Sequence, residues 1–255
     1  RAACFVRDRL WIGGELRRAW RSGHARDRGV LQDYTSMIRG LLDLFETEQQ
    51  LEWFDLAVAL QETLDRDFAD PVGGYYLASR REEGLLIRQK PAFDGALPSG
   101  NSIAAHNLLR LHHYTLDPAY RDRAEACLRA FADPLAEGVG LPAMACALDA
   151  ALDHPPEVVI VLPDRESDAH EFLDRVAESF VPDLSLVVAV ESDLVDRATR
   201  FPWIAGKKTI DGRVTAYVCR DRVCREPTTD PHRFAEQITA VSPYPAESPR
   251  SEGGH

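Results

Sequence analysis

The stretch Asp94-Gly-Ala-Leu-Pro-Ser-Gly-Asn-Ser102 puts a carboxylate, two hydroxyls and a carboxamide on one short loop. An amphipathic helix is expected to begin directly after it, near Asn101. A helix start offers unpaired N–H groups and the positive end of its dipole, so polar residues gathered there suit an anion or a polar ligand. Asp94 is the candidate acid, base or sugar-hydroxyl ligand, with Ser99 and Asn101 as orienting donors; Gly95 and Gly100 permit the tight turns between them. The competing reading makes Asp94 an Asx-turn residue and Ser99 or Asn101 a helix cap.

Asp33-Tyr34 occupies the equivalent place one helical hairpin earlier. Two carboxylates at one mouth would form a glycosidase-like pair, whose separation would decide the stereochemical outcome. The alternative is an N-cap for Asp33 and a packed ring for Tyr34. Tyr75 and Tyr76 follow Gly73-Gly74, and one of the two rings could offer a platform for a sugar; strand alternation would send them to opposite faces. Arg88 is the candidate clamp for an anionic group. His106, His112 and His113 lie on the helix after the loop, where packed or surface roles are the ordinary ones. Cys219 and Cys224 are separated by four residues, which is neither a Cys-x-x-Cys pair nor a zinc set. They are open to three readings: structural thiols in a hairpin, a disulfide that exchanges with another domain, or part of a metal site. No metal site and no cofactor are expected, and Glu157–Leu162 is not followed by Gly-x-Gly-x-x-Gly.

Two kinds of element must position these residues. Asp33 is expected to cap a helix with Met37, Ile38, Leu41, Leu42 and Phe45 at helical spacing, and a second helix carries Leu51, Phe54, Ala57, Leu60, Leu64 and Phe68. Asp70-Pro71-Val72-Gly73-Gly74 is a turn signal, with strands expected at Tyr75–Leu77 and Leu85–Arg88. Further helices follow from Asn101, from the cap-and-proline signal Asp117-Pro118, and from Leu141. The inner helices would start at Asp33, Asn101 and Leu141, with their N-termini converging. After His154-Pro155-Pro156 the pattern changes to strands at 157–162, 184–190 and 213–219, with helices near 169–180 and 230–238. The expected organisation is a helical-hairpin segment at 1–154, a small α/β appendix at 155–242 and a disordered tail at 243–255.

Thirty basic against 41 acidic residues give a net charge of −11, which argues against nucleic acid or an anionic membrane as the main partner. The arginines at 17, 18, 21, 26 and 28 read as a solvated surface rather than a binding patch. The apolar runs, Leu186–Val190 among them, are too short to span a bilayer. Five scattered cysteines are cytosolic usage rather than a disulfide framework, with Cys127 and Cys146 expected as buried free thiols. The chain opens on Arg1 with what reads as the end of a helix, and is expected to be a segment of something longer.

Taken in order, Gln32-Asp33-Tyr34, Gly73-Gly74-Tyr75-Tyr76, the 94–102 stretch and Ala216-Tyr217-Val218-Cys219…Cys224 resemble the YyaL-type, spermatogenesis-associated family of thioredoxin-domain-containing proteins. The resemblance runs from near the start to Pro231. It implies a C-terminal segment, mainly α, of a six-hairpin α/α toroid similar to those of N-acylglucosamine epimerases and six-hairpin glycosidases. The thioredoxin-like domain would lie N-terminal to this chain.

The cavity implied would be lined at one end by Asp33, Tyr34, Asp94, Ser99, Gly100 and Asn101, with Tyr76 and Arg88 as further ligand contacts. It would bind, and in the intact protein isomerise or hydrolyse, a small sugar-like molecule. The alternative is a non-catalytic docking or scaffold module for the thioredoxin-like domain. No nucleic acid and no membrane are implied as partners, and the location expected is the cytoplasm.

Overall fold

The structure is a computed structural model and describes residues 1–138 and 140–239. The tail expected at 243–255 lies outside the described residues. The chain divides into two compact units, residues 1–151 with 195–205, and residues 152–194 with those from 206 onward.

The first unit opens with helix α1 (Ala2–Arg9) and a three-stranded antiparallel meander, β1 (Trp11–Ile12), β2 (Glu15–Arg21) and β3 (His24–Arg28). Ser22 and Gly23, at φ 52° and 79°, form the two-residue turn that pairs Arg21 with His24. Only a strand near Leu16–Trp20 is legible in the sequence. Arg17, Arg21, Arg26 and Arg28 share one face of β2 and β3, but Arg18 and Asp27 interrupt the other, Leu16-Trp20-Ala25 face, so the apolar alternation is too short to mark β3.

Helices α2 (Leu31–Glu48) and α3 (Leu51–Asp67) form the first antiparallel hairpin, turned at Gln49 in the left-handed conformation. Helix α4 (Gly100–Thr115) and helix α5 (Pro118–Ala130) form the second, followed by α6 (Ala132–Ala136) and α7 (Pro142–Leu152). Asp117 caps α5 as its type and the following proline predict, its Oδ1 accepting from Ala119 N at 2.9 Å. Asp33 does not cap α2: the helix starts two residues earlier, at Leu31, and Asp33 stands in its first turn. Its carboxylate reaches back to accept from Val30 N at 2.8 Å.

The strand pair expected at Tyr75–Leu77 and Leu85–Arg88 is not formed. The backbone groups of this segment are engaged elsewhere. Tyr75 N and Tyr75 O bond the Asn101 side chain, and Leu77 O accepts from Leu31 N at 2.9 Å. Tyr76 N donates to Phe68 O at 2.9 Å, in an isolated antiparallel bridge of Tyr75 with Ala69, and Leu77 N donates to Gln89 O at 2.7 Å.

In the second unit, β4 (Glu157–Leu162) pairs in parallel with β5 (Ser185–Val190) across helix α8 (His170–Glu178). After the short α9 (Leu194–Arg197), β6 (Thr215–Arg220) pairs antiparallel with β4, and β7 (Val223–Cys224) completes the order β5-β4-β6-β7. Val158 through Val161 are all fully buried, as their near-continuous apolar run requires of a central strand. Helices α8 and α10 (Pro231–Thr239) close the core, with Phe172 and Phe234 edge to face at 5.4 Å between centroids. The described residues thus hold ten helices and two small sheets, a mainly α unit and an α/β unit.

Residues 195–205 belong to the first unit although they interrupt the second in sequence. They insert Phe201 among Phe45, Phe54 and Tyr114, with ring centroids 4.9–5.5 Å apart. Trp203 Nε1 donates to Tyr114 O at 3.0 Å. No periodicity signals this segment, because its contribution is two aromatic residues on a turn rather than a regular element.

Candidate functional site

The polar loop gathers three helix starts. Asp94 is held by its own N–H, which donates to Gly140 O at 2.7 Å. Its Oδ1 accepts from Ser99 N at 2.7 Å and Ser102 Oγ at 2.8 Å; its Oδ2 accepts from Ala143 N at 2.9 Å and Met144 N at 3.3 Å. One buried carboxylate therefore serves the first turns of both α4 and α7, where a negative charge is favoured by both dipoles. Ser99 is the N-cap of α4, its Oγ accepting from Ser102 N at 3.1 Å.

Helix α2 joins the same end. Gln32 Nε2 donates to Pro98 O at 2.6 Å, and a Cβ on Gly100 would lie 2.5 Å from Leu31 Cγ. Glycine at 100 is thus a packing requirement between helix starts. The convergence of the helix starts near 31, 100 and 142 follows the arrangement expected from the sequence. Asn101 sits beneath them, fully buried. Its Nδ2 donates to Tyr75 O at 2.9 Å and Pro91 O at 2.7 Å, and its Oδ1 accepts from Tyr75 N at 2.7 Å. Cys127 Sγ lies 3.8 Å from the same Oδ1, and burial pushes that thiol up to about 12.

The remaining candidates are spread around this node. Tyr34 is buried against Phe68, its hydroxyl accepting from Leu16 N at 2.8 Å, and burial raises its phenol. Asp33 faces Arg18 Nε at 3.6 Å as well as Val30 N. The Arg88 guanidinium stacks over the Tyr76 ring at 4.1 Å and donates to Ala78 O and Asp67 O. His106 is half-buried on α4, and His112 Nδ1 lies 2.9 Å from Asp117 O. Among the described residues no three His, Cys, Asp or Glu side chains are grouped to hold a metal. No helix among them is long and apolar enough to cross a membrane.

Three further groupings were not anticipated. Asp65 Oδ1 accepts from Tyr75 Oη at 2.6 Å and from Gln61 Nε2 at 2.9 Å, and burial raises its carboxyl. The i, i+4 spacing of Gln61 and Asp65 is the sequence signal for that contact. A cleft of about 700 Å³ is lined by Arg17, Arg18 and Arg28 with Val30, Ser79 and Glu82. These arginines stand in the run read from sequence as a solvated surface. Finally, the segment 85–97 carries large apolar side chains into solvent: Leu86 is fully exposed, and Ile87, Phe93 and Leu97 are 72–79% exposed.

The cysteines differ from expectation. Cys127 is buried, but Cys146 is exposed, on the outward face of α7. Cys219 and Cys224 are joined as a disulfide between facing positions of β6 and β7.

No family model matches the chain. It is 36% identical over 206 residues to spermatogenesis-associated protein 20 of Homo sapiens, covering 80% of this chain and 26% of that protein. The Mus musculus protein of the same name matches at the same identity and coverage. An uncharacterised Caenorhabditis elegans protein is 30% identical over 237 residues, 89% of this chain and 32% of its own length. These matches relate the chain to spermatogenesis-associated protein 20, and the chain spans about a quarter of the length of that relative.

Proposed function

We propose that this chain is a docking module of a longer spermatogenesis-associated-protein-20-like protein, and that its 85–97 segment packs against the thioredoxin-like domain implied by the family resemblance. The observation that carries this reading is the exposed strip Leu86, Ile87, Phe93 and Leu97, four large apolar side chains within twelve residues of irregular chain. A patch of that kind marks a surface that has a partner. The segment is also fixed rather than loose: Asn101 anchors it through Pro91 O, and Asp94 ends it at the helix starts. In this reading Asp94, Ser99, Gly100 and Asn101 position the strip. Replacing Leu86, Ile87 and Phe93 together by Glu tests it. The triple variant of the isolated chain is expected to melt as the parent does, and the same changes in the full gene product are expected to lower its melting temperature and loosen the domain contact. Equal melting in both settings would overturn the proposal.

The arginine-lined cleft supports a second reading, in which a small anionic sugar derivative is held by Arg17, Arg18 and Arg28 beside Asp33. Arg28 is braced toward Glu15 and Glu82, and Arg18 toward Asp33, so the cleft is partly self-neutralised. A library of sugar phosphates and sugar acids should raise the melting temperature of the parent and not of Arg18→Ala. No shift with any member would remove this reading.

A further inference from the structure

Outside the helical node, the hairpin of β6 and β7 brings together a disulfide and a cation. Asp221 and Arg222, at φ 49° and 64°, form a two-residue turn that closes on the pair Arg220 and Val223. The next facing pair is Cys219 and Cys224, and Arg225 N donates to Val218 O at 2.9 Å beyond it. Backbone pairing on both sides therefore places the two cysteines opposite each other. Their environments are unequal. Cys219 is 1% exposed in the sheet between Glu157 and Cys224, whereas Cys224 is exposed on the edge strand. Lys207 Nζ lies 3.7 Å from Cys224 Sγ.

We propose that Cys219 and Cys224 form a reversible dithiol–disulfide site for an anionic low-molecular-weight thiol, with Cys224 as the exchanging sulfur, Cys219 as the buried partner and Lys207 as the cation that stabilises the Cys224 thiolate. Attack follows access: the incoming thiolate bonds to Cys224 Sγ, the Cys219–Cys224 bond breaks, and Cys219 leaves with the electron pair and takes up a proton. A second thiolate attacks the small-molecule sulfur of the mixed disulfide and releases Cys224 as a thiolate beside Lys207. Two thiols are oxidised to one small disulfide, and the protein disulfide is reduced to two thiols. A leaving thiolate of lowered pKa departs faster, so the lysine assists this second step.

Of the charged groups around the site, Lys207 is the one placed against the exchanging sulfur. Lys207 and Arg222 face Glu157, whose carboxyl is raised by burial, and Asp221 is engaged by His154 Nδ1 at 2.7 Å. Lys207 also lies over the Tyr217 ring at 5.4 Å. Burial lowers the Lys207 ammonium, and Glu157 opposes that lowering. A cation beside a thiol brings its pKa from about 8.5 into the range of about 3.5–7.5.

The test equilibrates the whole chain with mixtures of reduced and oxidised glutathione, quenches with N-ethylmaleimide and reads the 219–224 peptide by mass spectrometry. Interconversion that follows the buffer in both directions is expected. A pair that stays bonded, or stays reduced, across the whole range would overturn the proposal. So would reduction by a protein dithiol with none by glutathione. In the reduced protein, alkylation of Cys224 should be half-maximal below about pH 7.5. Lys207→Gln should move that midpoint up by about one pH unit, toward an ordinary thiol, and Lys207→Arg should restore it. As a check independent of any variant, added salt should raise the parent's midpoint. An ordinary midpoint near 8.5 in the parent, unmoved by salt or by Lys207→Gln, would refute the role of the lysine.

Discussion

Asp94→Asn separates a positioning carboxylate from a freely available one. The four donors to Asp94 lie at 2.7, 2.8, 2.9 and 3.3 Å, two on each oxygen. An asparagine can keep its carbonyl toward Ser99 N and Ser102 Oγ. Its NH2 must then face the N–H groups of Ala143 and Met144, donor against donor. A hydrogen bond to a charged acceptor contributes about 1.5–3 kcal/mol, and the 3.3 Å contact belongs at or below the lower end. Loss of the negative charge at two helix starts adds about 0.5 kcal/mol each, while water at the first turn of α7 recovers part of the total. The expected net loss is about 3 kcal/mol. Asp94→Ala, which strands the N–H groups of Ser99, Ala143 and Met144 and leaves the Ser102 hydroxyl only Ser99 Oγ at 2.9 Å, should lose about 4 kcal/mol.

All four tryptophans, Trp11, Trp20, Trp53 and Trp203, lie in the first unit, so their fluorescence reports that unit alone. In a urea titration the Asp94→Asn midpoint should fall by about 1–3 M, the loss of about 3 kcal/mol divided by a slope of about 1–3 kcal/mol/M, with that slope unchanged. A loss below about 0.5 kcal/mol would refute the reasoning, because buried bonds to a charged group cannot be so weak.

Asp67 is buried beside Arg66, Arg80 and Arg81. Desolvation alone would raise its carboxyl, but the guanidinium groups, Arg66 foremost, outweigh it and the net shift is downward. A depressed folded-state value means stabilisation that is complete above the ordinary carboxylate range, near pH 4, and lost as pH falls through the folded value. The parent should therefore lose about 1 kcal/mol more than Asp67→Asn between pH 5 and pH 2, a modest figure because the arginines are partly exposed. Parallel pH curves would contradict it. Gly100→Ala should cost about 1–3 kcal/mol, since the added methyl meets Leu31 at 2.5 Å. An unchanged melting temperature would show that the α2 and α4 starts are not in contact.

The helical hairpins were legible because Ile38, Leu41, Leu42 and Phe45, and Leu60 with Leu64, repeat at the helical period and are buried as that period requires. The central strand was legible from the β-branched run at 158–161. The β-meander was not, because Arg18 and Asp27 break the short apolar side that Leu16, Trp20 and Ala25 would otherwise mark. The strands expected near Tyr75 and Leu85 failed for a different reason: a single side chain 26 residues away, Asn101, takes the backbone groups of Tyr75. Local pattern carries no sign of such a long-range bond. At the loop, residue types showed that Asp94, Ser99 and Asn101 act together, but only the geometry shows that their polar groups are turned inward onto backbone. Of the exposed strip, Leu86 and Ile87 fall within the strand expected at 85–88, whereas Phe93 and Leu97 lie outside it, where no periodicity marks an exposed apolar face.

The docking role requires residues 85–97 to be a covered face in the longer protein. Amide hydrogen exchange of that segment, compared between the isolated chain and the full gene product, measures this. Few amides of this segment are tied into a ladder, so the isolated chain should exchange quickly there. In the full gene product the amides around Leu86, Ile87 and Phe93 should slow by at least tenfold, while those of the α2 and α4 cores change little. Equal exchange in the two would contradict the docking role.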